Sequence, residues 1–368
     1  MANSVVIGAG WHPGLFRIEA AQLIDSFGSI HAHALVCDES QANRLISRSS
    51  LISEVLSPGG IVSMENAIGS ISKEFLALGI QGTVAVKSSR TGEKIEGWSS
   101  REIAGEIGGA LVEAGREINL SNPDVTLRVH LLAPSNRSVH PDDFVAEPVV
   151  AWGITIHSGD DWAKRTAPNR PFFKPVSLDP KLARTMVNLA CPQGGTLLDP
   201  FCGTGGLIVE GILCGIDCSG SDLAWPMVTG TRENAAWAQQ RGGTGEFEIR
   251  NGSALELSEI WDGPFDGFVF DPPYGRNAWK SADGFELLEG ALSACSSVSS
   301  EYANLVTLIP WPPSSIGESV DSGTSFGKSW SEITTAFSAA GWQIITTAPI
   351  RVHRSLARML IHARKIQK

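Results

Sequence analysis

Two short motifs in the second half of the chain bring together residue types that could bind a cofactor beside an amine. Residues 197–206 read LLDPFCGTGG, and residues 268–275 read FVFDPPYG. Each motif begins with an apolar run, which predicts a buried strand. The first motif adds an acid and glycines at the end of its strand. The second adds an acid, two prolines and an aromatic ring.

The glycine-containing motif has the features of a cofactor site at the carboxyl end of a strand. Gly203 and Gly205 would let the backbone approach a ligand, and the helix that follows offers free N–H groups to a carboxylate. Asp199 could accept a hydrogen bond from a ligand ammonium, directly or through water. Asp222 ends the next predicted strand, where an acid can hold two ribose hydroxyls. The third glycine of a pyrophosphate-binding turn is missing, which argues against a dinucleotide. Taken together, the two motifs predict a pocket for S-adenosylmethionine beside a site for a planar amine.

A second glycine turn, GAG at residues 8–10, leaves a dinucleotide site open as an alternative. Trp11, His12 and Pro13 follow this turn, and no acid closes a βαβ unit at the required distance. A strand followed by a turn is therefore the favoured interpretation of this segment.

The DPPY motif has the acceptors that would hold an exocyclic amine. A residue before proline is extended and proline has no N–H, so Asp271 and the Pro272 carbonyl are available to accept two N–H bonds. Tyr274 can stack on a base. These acceptors would direct the amine lone pair towards a sulfonium methyl, which predicts methyl transfer to a base nitrogen. Whether Asp271 or water takes the product proton stays open.

Composition limits the classes of protein to which the chain could belong. It has 368 residues, of which 42% are hydrophobic, enough for two cores. No apolar run has the roughly 20 residues of a membrane span, and the first residues do not resemble a secretory signal, so a cytoplasmic protein is expected. The six scattered cysteines predict neither a disulfide framework nor a zinc site, and we expect no metal.

Charge argues against a surface that coats a polyanion everywhere, because the net charge is −10. Residues 349–368, however, contain six Lys or Arg and no acid. Phosphate contacts could be concentrated in this segment, with a solvated tail as the alternative.

The pattern of strands and helices divides the chain into two halves. In the first half, strands are predicted at 5–9, 31–37, 82–88 and 125–132, and helices at 17–28 and 100–115, the latter capped by Ser100 and stopped by Gly115. The second half predicts strands at 195–200, 217–222, 247–250, 265–271, 303–310, 342–350 and 355–363. Alternation of apolar strands with helices predicts a Rossmann-like, mostly parallel seven-stranded α/β sheet, and the short last connection makes the final strand antiparallel.

These residues resemble a known family. LLDPFCGTGG and FDPPYG are similar to the motifs of class I amino-methyltransferases, and residues 169–190 resemble the segment before the glycine motif in THUMP-domain RNA methyltransferases. Residues 83–90 and 118–131 resemble a THUMP domain, and HRSLARML at 353–360 resembles the closing strand. The best fit is the archaeal-type tRNA guanine-N2 methyltransferases that act on guanosine 10.

The resemblance implies a domain plan: an N-terminal ferredoxin-like α/β part (1–50), a THUMP-like RNA-binding domain (51–155), a linker (156–170) and a methyltransferase domain (171–368). The N-terminal region would thus be α+β. The expected partner is tRNA, and some relatives also work with a small zinc-containing activator protein.

The resemblance also implies roles for individual residues. The cofactor would be held by Asp199, Phe201, Gly203, Gly205 and Asp222, and Phe173 would cover it. Asp271, Pro272 and Tyr274 would hold the guanine amine, and Lys87, Arg90, Arg351 and Arg354 would contact RNA. The family often has an acid after the third strand to contact adenine. Here Ser253 and Ala254 stand there, so a hydroxyl or the backbone would make that contact.

Other interpretations stay open from the sequence alone. An enzyme of the same type could act on ribosomal RNA or on a DNA amine, although the THUMP-like half favours RNA. The intact residues Asp271, Tyr274 and Gly203 argue against the interpretation that the chain is an inactive RNA-binding protein. A nicotinamide-dependent oxidoreductase is opposed by the missing third glycine.

Overall fold

A computed structural model of the chain describes residues 3–9, 12–134, 147–175, 177–273 and 282–367. Within these ranges the chain forms two compact units, which meet in sequence between Asp160 and Asp161. The predicted boundaries at residues 50, 155 and 170 stay predictions.

The first unit is built on a seven-stranded sheet in the order β2-β3-β1-β4-β7-β6-β5. Neighbouring strands are antiparallel except β5 and β6, which are parallel. The strands are β1 (Ser4–Gly8), β2 (Gly28–His31), β3 (Ala34–Cys37), β4 (Ile52–Ser63), β5 (Val84–Thr91), β6 (Val125–Leu132) and β7 (Val149–His157). The helices are α1 (Pro13–Leu23), α2 (Glu39–Arg48), α3 (Ala67–Ala77) and α4 (Ser100–Glu113).

Helices α3 and α4 cover one face of this sheet. Ile71 of α3 and Ile107 of α4 belong to the same fully buried cluster as Leu127 of β6 and Trp152 of β7. The even-numbered residues of β5, beginning with Val84, face these helices, because successive side chains of a strand point to opposite faces.

Three local predictions in this unit are wrong. The helix predicted at 17–28 runs from Pro13 to Leu23, because the His12 side chain accepts a hydrogen bond from the Leu15 N–H at 3.0 Å and starts the helix early. The strand predicted at 31–37 is interrupted by a hairpin turn. Strand β2 ends at His31, and β3 begins only at Ala34. The N-cap of α4 is Ser99, whose hydroxyl accepts from the Glu102 N–H, and not Ser100.

The second unit contains a seven-stranded sheet in the order β10-β9-β8-β11-β12-β16-β15. Its strands are β8 (Thr196–Asp199), β9 (Asp217–Asp222), β10 (Phe247–Asn251), β11 (Phe265–Phe270), β12 (Ser299–Trp311), β15 (Trp342–His353) and β16 (Leu356–Lys365). A two-stranded ribbon is formed by β13 (Thr324–Ser325) and β14 (Lys328–Ser329). The helices are α5 (Pro180–Ala190), α6 (Gly206–Leu213), α7 (Trp225–Gln239), α8 (Leu257–Ile260), α9 (Ala282–Ser297) and α10 (Trp330–Ala339).

Strands β10, β9, β8, β11 and β12 are parallel to one another, whereas β16 is antiparallel to both β12 and β15. This confirms the predicted mostly parallel sheet with an antiparallel final strand. Chain order reverses next to β8, so the carboxyl ends of β8 and β11 flank the switch point at which open α/β sheets bind ligands.

Candidate cofactor and substrate site

A cavity of about 670 Å³ opens at the carboxyl ends of β8, β9, β10 and β11. That volume lies within the range of small-molecule sites. Eight of the residues predicted for the cofactor and the amine line it: Asp199, Phe201, Gly203, Asp222, Ser253, Ala254, Asp271 and Pro272. Two motifs about seventy residues apart in sequence are thus brought to one pocket, because β8 and β11 are neighbours in the sheet.

The glycine loop between β8 and α6 is held by hydrogen bonds from both sides. The Gly203 N–H donates to Asp222 Oδ2 at 3.1 Å, and the Thr231 hydroxyl donates to the Gly203 carbonyl at 2.8 Å. Gly203 has φ +54°, a left-handed conformation that glycine adopts without strain. The loop therefore presents a preformed concave backbone to the cavity.

Asp222 connects the end of β9 to this loop. Its second oxygen, Oδ1, accepts the Ala224 N–H at 2.9 Å. Each carboxylate oxygen can accept more than one hydrogen bond, so both keep acceptor capacity for hydroxyl groups in the cavity.

Asp199 is the most deeply buried acid of the cavity, with 1% of its surface exposed. Its Oδ1 accepts the Phe201 N–H at 3.0 Å. Burial raises the pKa of Asp199 well above its usual range, and the charges of Asp222 and Asp271 raise it further. A cationic ligand in the cavity would favour the ionised form of this carboxyl.

Asp271 lies just beyond the end of β11, and its two oxygens have different environments. Oδ1 is buried and has no hydrogen-bond partner among the described residues; the nearest cation is Nε of Arg358, at 3.7 Å. The side chain as a whole is 28% exposed, and because Oδ1 is shielded, Oδ2 is the oxygen of this carboxyl that remains for a ligand. Burial raises the pKa of Asp271 to about 6, and Arg358 offsets part of this rise.

The rest of the cavity wall includes apolar side chains, which the motifs alone did not identify. They are Leu178, Leu207, Leu223, Met227, Leu255 and Leu287. Leu223 and Leu255 follow the carboxyl ends of β9 and β10 and are 75% and 50% exposed. Large exposed apolar side chains beside a polar cavity are typical of a surface that a flat apolar ligand covers.

Two residues predicted to hold the cofactor do not line this cavity. Phe173 is half exposed, and its neighbour Phe172 is the one that packs against α7, at Gly230. A Cβ on Gly205 would lie 2.8 Å from Thr231 Cγ2, so this glycine permits close packing of the loop on α7. Tyr274, predicted to stack on the base, lies outside the described residues.

The predicted RNA contacts are spread over both units. Lys87 and Arg90 are both exposed on the edge strand β5, but their odd spacing places them on opposite faces of the sheet. Arg351 on β15 donates from Nη2 to the Pro313 carbonyl at 2.9 Å, and Arg354 is exposed in the turn before β16. Neither of the last two lines the cavity.

Lys87 lies beside a polar cluster in the first unit. It lines a second cavity, of about 730 Å³, together with Arg128 and Glu54. Glu54 accepts from Arg128 Nε at 2.9 Å and contacts His130 Nε2 at 2.7 Å. Although burial opposes the shift, hydrogen bonds from His130, Arg128 and Thr155 lower the pKa of Glu54 to about 2.

No helix in the described part of the chain is both long and apolar enough to cross a bilayer. Among the same residues, no group of three or more His, Cys, Asp or Glu is arranged to hold a metal ion.

Comparisons with known families match both halves of the chain. Residues 168–311 match the UPF0020 family, described as an RMKL-like methyltransferase domain, and residues 63–133 match the THUMP domain. The first match contains the glycine motif and Asp271, and the second contains β5, α4 and β6.

Curated relatives match about half of the chain. A "tRNA (guanine(10)-N2)-dimethyltransferase" of Methanothermobacter thermautotrophicus is 36% identical over 191 residues, 51% of this chain and 52% of the relative. An identically named protein of Pyrococcus abyssi is 33% identical over 196 residues, 52% of this chain and 53% of the relative. The chain thus spans about half the length of the curated relatives it matches.

Among solved structures, TrmN from Thermus thermophilus shares the fold, with a TM-score of 0.53 and 17% identity, covering 99% of this chain and 100% of that one. The match extends over both units of the fold. Residues 63–133 are therefore similar to THUMP domains, and residues 168–311 are similar to UPF0020 methyltransferase domains.

Proposed function

We propose that the chain transfers a methyl group from S-adenosylmethionine to the exocyclic N2 amine of a guanosine in tRNA, at position 10. The observation that carries this proposal is the shared cavity of Asp271 and the Asp199–Gly203 loop. The names of the curated relatives support the tRNA substrate and the guanosine.

The cavity fits S-adenosylmethionine in charge and in shape. Asp199, Asp222 and Asp271 line it with only two cations among the described residues, Lys174 and Arg358. A ligand that carries an ammonium and a sulfonium would favour the ionised form of these carboxyls, including Asp199, whose pKa is raised by burial. The apolar wall near Leu223 and Leu255 suits the adenine ring.

Each part of the cofactor has candidate partners in the chain. Asp199 would accept from the ammonium, and Asp222 from the ribose hydroxyls. The backbone N–H groups at the start of α6, where Gly206 lines the cavity, would face the carboxylate. Phe173 would cover the site, as predicted from the sequence, whereas the contribution of Gly205 would be to shape the loop that packs on α7.

When bound, S-adenosylmethionine supplies a methyl group made electrophilic by the adjacent sulfonium. Asp271 would accept an N–H of the guanine amine through the oxygen that faces the cavity, and the Pro272 carbonyl is the second acceptor. Ionised Asp271 thereby orients the amine and stabilises the positive charge that develops on nitrogen. With a pKa near 6, this carboxyl is mostly ionised at neutral pH. A guanosine paired in a helix must leave its stack to reach the cavity.

The test is a transfer assay with tritiated S-adenosylmethionine. Its substrates are an unmodified tRNA transcript with guanosine at position 10, the same transcript with adenosine there, and ribosomal RNA. We expect label in the first transcript and background in the other two. Equal labelling of both transcripts would contradict the position, and label in ribosomal RNA alone would contradict the substrate.

Nucleoside analysis of the labelled transcript then reports whether one or two methyl groups are added. A requirement for the predicted zinc-containing activator would be revealed by addition of cell extract to an inactive preparation. The activator and the predicted cytoplasmic location stay predictions.

A further inference from the structure

We propose that Arg358 is a positioning residue, whose ion pair with Asp271 fixes the carboxylate so that one oxygen is left for the substrate amine. This inference rests on the proposed function, because the amine that Asp271 would bind is the substrate of that reaction. The contact itself is a property of the protein without cofactor or RNA.

The first argument is the asymmetry of the Asp271 carboxylate. Oδ1 is shielded from solvent and lies 3.7 Å from Arg358 Nε, without a hydrogen-bond donor of its own among the described residues. An ion pair with a fixed guanidinium restrains rotation of the carboxylate about its last bond. Oδ2 is then held on the side of the cavity, which both residues line.

The second argument is the position of Arg358 within the sheet. It lies in β16, between β12 and β15, opposite Pro310 and Ile350. A residue in an inner strand is placed more precisely than one in a loop, and only 19% of the Arg358 side chain is exposed. Its guanidinium is therefore held near one place relative to the end of β11.

The third argument is the charge around Asp271. Asp199 comes from β8, Asp222 from β9 and Lys174 from the segment before α5, and all line the same cavity. Arg358, from β16, is the cation that pairs with Asp271. Without Arg358, burial would act on Asp271 unopposed and favour its protonation, and a protonated carboxyl is a weaker acceptor for an amine N–H.

The test is a carboxyl-carbon NMR titration of the protein without ligand, labelled with ¹³C at the aspartate carboxyl. Asp271→Asn identifies the Asp271 signal by its disappearance. We expect the Asp271 midpoint near pH 6 in the unmodified protein. In Arg358→Met the midpoint should rise by about one pH unit or more. Arg358→Lys retains a positive charge, so its midpoint should stay close to that of the unmodified protein.

Arg364→Met is the matched control. Arg364 lies on the same strand, an even number of residues away and hence on the same face, and it does not line the cavity. It should leave the Asp271 midpoint unchanged. If Arg358→Met unfolds below the temperature of the titration, Arg358→Gln provides the same comparison with a polar side chain.

The acid limb of the pH profile of kcat/KM should move with the NMR midpoint. An unchanged midpoint in a folded Arg358→Met or Arg358→Gln protein would overturn the inference. Absence of methyl transfer by the unmodified protein would instead overturn the proposed function and leave the titration interpretable.

Discussion

Two carboxylates, the buried Glu54 in the first unit and the partly buried Asp271 in the second, have opposite surroundings. Glu54 is held by hydrogen bonds from Arg128, His130 and Thr155, which lower its pKa to about 2. Among the described residues, Asp271 forms an ion pair with Arg358 alone, and burial raises its pKa to about 6. Hydrogen bonds within the fold satisfy the Glu54 carboxylate, whereas Oδ1 of Asp271 has no hydrogen-bond donor in the described part of the chain. This difference separates a structural acid from one available to a ligand.

The largest effect is expected at Asp271. Asp271→Asn keeps the shape of the side chain but removes the charge that stabilises the methylated nitrogen, so methyl transfer should fall by about 100- to 1,000-fold. Affinity for S-adenosylmethionine, measured by calorimetry, should change much less. Asp262→Asn, an exposed acid before the same strand, is the control. Normal turnover of Asp271→Asn would remove the basis of the amine-binding assignment.

Glu54 should respond in the opposite way. Glu54→Gln weakens the interactions with Arg128 and His130. The free energy of unfolding of the first unit, measured by urea denaturation, should therefore decrease by about 2–3 kcal/mol. Hydrogen exchange in β4 and β6 would localise the loss to the first unit. Glu65→Gln changes an exposed acid of the same unit and should have little effect. An unaltered urea midpoint for Glu54→Gln would mean that the cluster contributes little to folding.

The dependence of stability on pH should also differ in sign between the two acids. The pKa of Asp271 is raised in the folded state, so its contribution to stability should grow as pH falls from about 6 towards 4. The pKa of Glu54 is lowered, so its contribution is present above about pH 4.5 and is lost as pH falls towards 2. Thermal melts of Asp271→Asn and Glu54→Gln at a series of pH values measure both. The comparison fails if the two variants change the profile in the same direction.

The smallest effect is expected from the predicted RNA contacts on β5. Lys87 shares a sheet face with Arg128, and Arg90 points to the other face. Lys87→Ala should therefore weaken tRNA binding a fewfold. The slope of the logarithm of the binding constant against the logarithm of salt concentration should decrease by less than the amount expected for one lost phosphate contact. Arg90→Ala tests whether the opposite face is also used, and filter binding at several salt concentrations measures both. Equal losses for the two variants would show that the contact surface is not confined to one face.

The sequence predicted the second unit well because β8, β11 and β12 contain apolar runs, and the first two of these strands end in chemically distinctive motifs. Asp199, Asp222 and Asp271 could be placed in one pocket because parallel strands end at the same edge of a sheet. In the first unit, the hairpin at His31–Ala34 and the start of α1 depend on side-chain contacts of His31 and His12, which local periodicity does not reveal.

Other features depend on contacts between distant segments. Arg358 reaches Asp271 from a strand about ninety residues later, and nothing in HRSLARML distinguishes it from Arg354. Gly205 looked like a ligand-binding glycine, yet its close neighbour is Thr231 of α7. Such pairings follow from the order of strands and the packing of helices, which a single sequence does not specify.

The most direct test of the central claim is a crystal structure of the protein with S-adenosylhomocysteine or S-adenosylmethionine bound. The account predicts electron density in the cavity between the glycine loop and Asp271, with the sulfur facing that carboxylate and the ribose against Asp222. Density for the ligand at any other place, with the Asp271 cavity empty, would contradict it.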